Sequence, residues 1–390
     1  MRTPEPKEVA TTMTIATRAD QTFQTEILRG VSRTFALTIP QLPPPLRKIV
    51  TNAYLLCRIA DTIEDERALS AHDKRRFAQQ FVDVVAGRSC AEPFATSLLP
   101  LLSNHTIEAE HDLIRNSPIV IRVTHSFTPA QRAVLERCIT IMAEGMAWFQ
   151  TNQSRSGLPD LSHLEAYCYY VAGVVGEMLT ELFCDYSPKI AANRSQLLPL
   201  AVSFGQGLQM TNILKDLWED HARGACWLPQ DVFSGCGFDL KTLSAQHHGA
   251  AFAHGLRRLV AIAHAHLRNA LAYTLLLPRE EAGLRKFCLW AIGMALLTLR
   301  KINSNPAFTS SKEVKISRRA VYATMFAASA LVRHDGSLRW VFDVAARGLP
   351  DADAIAPPAV SRHELEAGHS ALAARAAGAT ARGSDLAVHE

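Results

Sequence analysis

The chain has 390 residues, of which 48% are hydrophobic and 20% charged, and its formal net charge is +4. This composition suits one large or two modest globular domains with a sizeable core, and it excludes a disordered protein. So mild a charge, spread evenly, argues against a nucleic acid as partner, whereas an anionic substrate or an anionic membrane surface is compatible with it.

The predicted elements are helices throughout. Apolar residues recur with helical periodicity from about residue 20 to about residue 345, and alternating β-branched segments with hairpin turns are scarce. This pattern predicts an all-α fold with a single domain over residues 21–345, because no linker-like composition interrupts it. Residues 1–20 are predicted to form a flexible lead, and residues 346–390 a mobile tail with few large apolar side chains.

In chain order, Ser32-Arg33-Thr34-Phe35 opens the first predicted core helix, and the prolines at 40–45 break it. Pro118 and Pro129 are interpreted as helix stops. The helices predicted after the proline cluster cover 46–66, 71–90, 92–115, 129–150, 163–184, 199–222, 250–275, 280–303 and 315–334.

The sequence shows no targeting segment. Residues 1–20 lack the apolar core of a signal peptide. The most apolar stretch, 287–299, has only 13 residues, whereas a bilayer span takes about 20. The eight cysteines lack paired CxxC spacing and indicate buried thiols in a reducing compartment. We therefore expect a cytoplasmic, monomeric chain without a transmembrane anchor, with peripheral membrane contact at most.

Two acidic triplets carry the chemistry. The first triplet is Asp61, Glu64 and Asp65, and the second triplet is Asp216, Glu219 and Asp220. On a helix, the i, i+3, i+4 spacing gathers each triplet on one face. Like charges so placed repel by roughly 0.2–0.5 kcal/mol per pair, so a compensating cation is expected. Two such faces around a cavity would offer oxygen ligands to a hard divalent cation, the usual partner of phosphate groups.

A solvated helix face is the alternative explanation for one acidic triplet, but the context of these two differs. Each triplet ends an apolar helical run, and buried carboxylates need a cationic partner or a metal. Arg58 lies three residues before Asp61, and Lys215 directly precedes Asp216. The sequence therefore favours a metal-and-phosphate site over a surface feature.

The segment 167–176 contains two glycines at helical spacing. Gly173 and Gly176 lie three residues apart, although a helix interior disfavours glycine by about 1 kcal/mol each. Close helix–helix contact explains this pattern as well as a smooth tunnel wall for a long apolar ligand does. Both interpretations stay open from the sequence alone.

Taken together, four motifs resemble the squalene/phytoene synthase family in order and spacing. They are Ser32-Arg33-Thr34-Phe35, the segment from Tyr54 through the first triplet, the segment 167–176, and the segment from Gln209 through the second triplet. The resemblance extends from about residue 25 to residue 335. It implies a single-domain isoprenoid synthase fold, with helices around a central cavity and two opposed aspartate-rich helices that hold Mg²⁺.

The resemblance also implies the reaction. Two farnesyl diphosphates bind, one ionises, and their carbons couple head to head through a cyclopropyl intermediate that keeps its diphosphate. Both triplets are then the metal ligands, with their four aspartates also counted as catalytic, and Tyr167 matches the tyrosine proposed to handle the proton lost in cyclopropane formation. Tyr54 lies two helical turns before Asp61, so it is expected to face the same cavity and is counted with Tyr167 among the catalytic residues. The residues expected to contact diphosphate or cofactor phosphate are Ser32, Arg33, Arg58, Gln209, Asn212 and Lys215.

A downstream segment resembles the reductive members of the family, which use NADPH. Val314-Lys315-Ile316-Ser317-Arg318 matches a stretch that lies near the nicotinamide cofactor, so Lys315 and Arg318 are expected to pair with its phosphates. The alternative is a solvated basic patch at a helix start. Ser317 departs from the family pattern by replacing a basic residue, and an arginine expected near Ala225 is displaced to Arg223 or missing.

Three other functions remain as alternatives. A non-reducing member would make phytoene, dehydrosqualene or presqualene diphosphate, and the segment 314–319 argues against it. A non-catalytic prenyl-lipid-binding protein would need one degraded triplet, but both are intact. A metal-dependent diphosphate hydrolase usually carries His-Asp ligand pairs, which are not evident here.

Overall fold

The structure is a computed structural model that describes residues 16–151 and 154–352. Within these ranges the regular elements are helices, accompanied by two isolated β-bridges. The all-α prediction is therefore confirmed. The α-helices in chain order are α1 Arg18–Val31, α2 Phe35–Thr38, α3 Pro44–Asp65, α4 Ala71–Val85, α5 Ala91–Leu98, α6 Glu108–Arg115, α7 Ser117–His125, α8 Pro129–Thr151, α9 Leu161–Cys168, α10 Val174–Tyr186, α11 Pro188–Ala191, α12 Arg194–Ala222, α13 Gln230–Ser234, α14 Ala250–Leu276, α15 Ala282–Ser304, α16 Ser311–Val314, α17 Arg318–Leu331 and α18 Asp335–Ala346.

Most boundaries agree with the sequence, and the differences have local causes. The helix α1 begins inside the predicted lead, because Thr17 and Asp20 form a capping box at its start. Pro118 and Pro129 start helices α7 and α8 instead of stopping them, since proline fits the first turn of a helix. Pro199 lies inside α12, which begins five residues earlier. A 3₁₀ turn at Leu99–Leu101 divides the predicted helix 92–115.

Helix α12 lies at the centre of the packing and contacts α10, α14 and α15. Helix α3 packs on α1, α7 and α8. The two acidic triplets therefore sit on helices with largely different neighbours, each at the C-terminal end of its helix. The partial negative charge of a helix C-terminus disfavours carboxylates, which adds to the need for nearby cations.

The glycines of segment 167–176 serve close helix packing. A Cβ added to Gly176 would lie 2.2 Å from the carbonyl oxygen of Ala201 on α12, and one added to Gly205 of α12 would lie 2.2 Å from that of Ala172. The two backbones thus touch at positions where only glycine fits. Close helix packing therefore explains Gly176. The other interpretation, a wall for an apolar ligand, applies to Val171 of the same segment, which lines the central cavity.

Helix α15 is the one helix in the described part of the chain that is long and apolar enough to cross a membrane by length and composition. Two-thirds of its apolar window (67%) is buried in the protein. It packs against α12, α14 and α17, which is the setting of a core helix.

Candidate active site

A cavity of about 970 Å³ brings the two acidic triplets together. All six carboxylates line it, although the first triplet lies on α3 and the second on α12. The other predicted site residues in its wall are Arg58, Tyr167, Gln209, Asn212 and Lys215.

The first triplet has partners on its own helix and on two others, α8 and α9. Arg58 forms an ion pair with Asp61 at 3.8 Å and a second one with Glu110 of α6. The Glu64 carboxylate accepts hydrogen bonds from the Gln150 side-chain amide at 3.3 Å and from the Tyr167 hydroxyl at 3.5 Å. The middle residue of the triplet therefore points to the tyrosine of α9.

Burial dominates the electrostatics of this triplet. It raises the pKa of Asp61 to about 7, with further upward contributions from the charges of Asp65 and Glu110, although the Arg58 charge opposes the shift. It raises the pKa of Glu64 to about 8, with the charges of Asp65 and Asp61 adding to the shift. A cation that enters the cavity would stabilise the ionised form of both carboxyl groups and so lower their pKa values.

The second triplet has a different set of partners. Lys215 forms an ion pair with Asp216 at 3.1 Å. The Glu219 carboxylate accepts hydrogen bonds from the backbone amide and the hydroxyl of Ser311, at 3.0 and 2.6 Å. Burial alone would raise the pKa of Glu219, but the bonds from Ser311 lower it. Glu219 therefore anchors the start of α16 against α12.

Arg223 connects the two triplets. Its guanidinium forms an ion pair with Asp220 and another with Asp65 at 3.4 Å. Burial raises the pKa of Asp220 to about 6 even though Arg223 lowers it. The family resemblance implied an arginine near Ala225. The structure has Arg223 instead, and its guanidinium lies between the two acidic triplets.

Tyr167 sits in an aromatic stack. Its ring lies parallel to that of Trp227, with centroids 4.0 Å apart and an interplanar angle of 6°, and edge-on to Phe149 at 5.1 Å. Burial, reinforced by the charge of Glu64, raises the pKa of its hydroxyl well above the ordinary value. The hydroxyl is thus protonated at neutral pH and can donate to Glu64.

Five predicted site residues are not among those lining the cavity. The Tyr54 hydroxyl donates to the carbonyl oxygen of Val31 at 3.2 Å, and its ring packs on Phe35 of α2 at 5.1 Å. The Ser32 hydroxyl accepts a hydrogen bond from the Phe35 amide at 2.9 Å, and Arg33 is exposed. The other two residues, Lys315 and Arg318, are exposed at the start of α17.

Several cavity residues were not predicted from the sequence. Lys74 of α4 donates to the Gln150 side chain at 3.3 Å and to the backbone carbonyl of Glu64. Trp227 follows the second triplet in a loop and supports Tyr167. The only local signals were the apolar setting of Trp227 and the displaced arginine at 223, since Lys74 and Gln150 reach the site through the packing of α3, α4 and α8.

The donor set fits a hard divalent cation. All six groups of the triplets are carboxylates, and oxygen ligands are what Mg²⁺ prefers. Over residues 16–151 and 154–352, however, no three Asp, Glu, His or Cys side chains are grouped closely enough to hold an ion. The triplets therefore supply suitable chemistry without a preformed cluster, and Arg223 lies between them.

Sequence comparisons match the chain to a family described as squalene/phytoene synthase, over residues 28–320. The squalene synthase of Eremothecium gossypii is 29% identical over 285 residues, which cover 72% of this chain and 62% of the relative. The squalene synthase BSS of Botryococcus braunii is 30% identical over 331 residues, which cover 81% of this chain and 67% of the relative. The chain thus spans about two-thirds of the length of these relatives.

The solved structures support the fold. The structure of TcSQS with the ligand BPH1237 superposes with a TM-score of 0.66 at 23% identity, covering 85% of this chain and 98% of that one.

Proposed function

The chain belongs to the squalene/phytoene synthase family, as its motifs predicted, and from this premise we propose that it joins two farnesyl diphosphates head to head through presqualene diphosphate and reduces the product to squalene with NADPH. One observation carries the proposal. The Tyr167 hydroxyl lies 3.5 Å from the Glu64 carboxylate in the wall of a cavity lined by both acidic triplets. The arrangement combines a site for diphosphate departure with a route for a proton.

Diphosphate departure requires that negative charge on the leaving oxygens be neutralised. When bound at the triplets, Mg²⁺ would act as a Lewis acid toward those oxygens. Arg58, Lys215 and Arg223 all line the same cavity and offer direct cationic contacts to diphosphate. Arg223 must exchange its carboxylate partners for diphosphate oxygens during this step, which would leave Asp65 and Asp220 free to hold the metal.

The cyclopropyl coupling releases a proton from carbon. The phenol oxygen of Tyr167 can accept that proton while its own proton passes to Glu64, which leaves Glu64 neutral and the tyrosine restored. Glu64 must be ionised to accept that proton; burial raises its pKa to about 8, and a cation bound in the cavity would lower it again. The carboxylate and the hydroxyl thus act as one unit.

The allylic cation must be protected from water until the carbons couple. Val171, Ile213 and Trp227 provide apolar wall beside Tyr167. A cation over a desolvated aromatic ring gains about 2 kcal/mol, so the Trp227 and Tyr167 rings can stabilise it as well as shield it.

The proposed reduction relies on the segment at 314–319. NADPH would supply the hydride. The two bonds from Ser311 to Glu219 hold the first residue of α16, three residues before this segment, against the second acidic helix, which supports a cofactor position near the cavity. Lys315 and Arg318 are both exposed and free to approach phosphate. The naming of the curated relatives as squalene synthases also favours reduction over a non-reducing product.

The eight cysteines are all free thiols, which supports the proposed cytoplasmic location. We also propose that the chain acts as a monomer, because one cavity already holds both triplets, their cationic partners and Tyr167, so the site is complete without a second copy.

The test is product analysis by the full chain supplied with farnesyl or geranylgeranyl diphosphate, with and without Mg²⁺ and NADPH. Squalene is expected only when farnesyl diphosphate, Mg²⁺ and NADPH are all present. Production of phytoene, dehydrosqualene or presqualene diphosphate regardless of NADPH would assign the chain to the non-reducing branch. Release of diphosphate without coupling would indicate a hydrolase, and prenyl-lipid binding without turnover a carrier.

A double variant tests the cofactor segment separately. Lys315→Ala with Arg318→Ala should leave the coupling step nearly unchanged but remove two charge-assisted contacts worth about 1.5–3 kcal/mol each. Presqualene diphosphate should accumulate, and excess NADPH should partly restore squalene. Lys241→Ala with Arg257→Ala, two exposed cations elsewhere, is the matched control. Wild-type dependence on NADPH in the first double variant would refute the assignment.

A further inference from the structure

Two adjacent helices at the C-terminal end of the described chain expose large aromatic side chains. Tyr322 and Phe326 of α17 are 64% and 78% exposed, and Trp340 of α18 is 64% exposed. The other exposed large apolar residues in the described ranges are all aliphatic and reach at most 50%. Such a concentration of exposed aromatic area usually marks a surface that binds something.

These rings do not belong to the core. The inner face of α17 packs on α15, where Thr324 approaches Gly293 and Ala328 is buried. The inner face of α18 is formed by Leu338 and Phe342, both buried. The aromatic residues occupy the opposite faces of two helices that contact each other and α15. We call Tyr322, Phe326 and Trp340 the aromatic surface.

Arginines surround the aromatic surface. Arg319 lies three residues before Tyr322 on α17, and Arg333 lies in the turn after that helix; Arg339 precedes Trp340 on α18, and Arg347 caps the end of α18. All four are exposed. Asp343 is the exposed acidic residue on this side of α18, and Asp335 is already paired with Arg279 and Arg285. The aromatic surface therefore carries excess positive charge.

We propose that the aromatic surface docks on an anionic lipid bilayer. Tyrosine and tryptophan rings partition into the headgroup region of a membrane, and exposed arginines pair there with lipid phosphates. A second copy of the chain is a poorer occupant, because a symmetric contact would place four arginines against four. The proposal does not depend on the reaction, since the three rings and Arg333, Arg339 and Arg347 lie outside both the cavity lining and the segment 314–319.

The test is sedimentation of the full chain with vesicles. Vesicles of phosphatidylcholine containing phosphatidylserine should bind the protein, and pure phosphatidylcholine vesicles should bind it at least about tenfold more weakly. Binding should also fall in high salt. The triple variant Tyr322→Ser, Phe326→Ser and Trp340→Ser, and separately Arg333→Gln with Arg339→Gln, should each reduce partitioning by about tenfold or more.

The matched control is Leu101→Ser with Ile107→Ser, which removes exposed apolar side chains from the loop between α5 and α6. This variant should bind as the wild type does. Equal vesicle binding by the triple variant, or no binding by the wild type, would overturn the proposal. If the triple substitution lowered the unfolding temperature without vesicles, the chain itself would cover the aromatic surface. If the triple substitution abolished self-association in sedimentation velocity, the occupant would be a second copy of the chain. A lowered unfolding temperature or a loss of self-association would each overturn the proposal.

Discussion

The two acidic triplets have the same spacing, yet the structure gives their middle residues different partners. Glu64 of the first triplet faces Tyr167 and Gln150 across the cavity wall. Glu219 of the second triplet is bonded to the backbone and side chain of Ser311. The first aspartate of each triplet, in contrast, pairs with a cationic side chain, as Asp61 does with Arg58 and Asp216 with Lys215.

This difference teaches that spacing identifies the face of a helix without assigning a role to each carboxylate. An aspartate paired with one cationic side chain can exchange that partner for a metal ion, whereas two hydrogen bonds from a neighbouring segment hold Glu219 in place. We therefore expect the outer aspartates to be the principal metal ligands. Glu64 is expected to serve proton transfer, and Glu219 to serve the position of α16.

The largest effect is expected from Asp61→Asn or Asp216→Asn. Each change removes a hard anionic ligand, and the loss of several kcal/mol of charge stabilisation corresponds to a decrease in turnover of at least about 10³-fold. The measurement is squalene formation over a Mg²⁺ titration. Asp112→Asn, a half-exposed aspartate of α6 that pairs with Arg115 and does not line the cavity, is the control and should keep full activity. If only one of the two variants lost activity, the triplets would not share a metal site.

The Asp61→Asn variant also predicts a pH effect on stability. Burial raises the folded-state pKa of Asp61 to about 7 from an ordinary value of 3.8, so the folded state binds a proton more tightly than the unfolded state. Wild-type stability from this group is therefore present below pH 3.8 and is lost as the pH rises through 7. Asparagine does not titrate, so the variant should melt at or above the wild-type temperature at pH 8 without metal, and gain nothing at pH 4. The side chain keeps 31% exposure, which limits the size of this effect.

Tyr167→Phe is expected to have the next largest effect. It keeps the ring stacked on Trp227 and removes the hydroxyl that donates to Glu64, so the rate should fall by about 10²-fold with little change in KM. The control is Tyr273→Phe, which removes a buried hydroxyl bonded to Thr180 away from the cavity. Single-turnover kinetics of both variants would measure the rate of the chemical step separately from substrate binding. An unchanged rate would return Tyr167 to a packing role.

Glu64→Gln and Glu219→Gln test the comparison directly. Glu64→Gln should reduce turnover by about tenfold or more, because glutamine cannot accept the proton. Glu219→Gln should instead weaken the contact with Ser311, costing about 1 kcal/mol of unfolding free energy while turnover falls less than in Asp216→Asn. Turnover and urea unfolding are measured for both variants. Equal losses of activity would mean that both glutamates are metal ligands after all.

The smallest effect is expected from Arg223→Gln in the absence of substrate. Removing the cation between Asp65 and Asp220 should lower stability by about 0.5–1 kcal/mol, since its side chain is 35% exposed. Added Mg²⁺ should then raise the unfolding temperature more than it does in the wild type. Lys189→Gln, which removes an exposed pair with Glu280, controls for loss of a surface cation. No change in the response to Mg²⁺ would separate Arg223 from the metal site.

The sequence predicted the fold class and the long helices well, because their apolar periodicity is strong and uninterrupted. It also placed both triplets on the cavity, since each ends an apolar run. It missed α1 and the separate helix α18, whose boundaries depend on the capping box at Thr17 and on packing against α15.

The partners of the carboxylates were beyond sequence reasoning. Ser311 lies 92 residues from Glu219, and Gln150 lies 86 residues from Glu64. Tyr54 shares a helix face with Asp61, but α2 places Phe35 against its ring. Such contacts depend on how the helices pack against one another, which cannot be inferred from the spacing of residues along the sequence.

The turn of π-helix at Tyr169–Gly173 has a consequence for insertions and deletions. An α-helix advances about 100° per residue, and a π turn absorbs one extra residue, so it resets the angular phase between α9 and α10. Tyr167 can then face the cavity while Gly176, nine positions later, meets the backbone of α12. Deleting one residue from 169–173 would restore regular winding, yet rotate the tyrosine and the glycine out of mutual register. The extra residue therefore lets one continuous helical segment place Tyr167 in the cavity wall and Gly176 against α12, which a regular α-helix could not do at the same time.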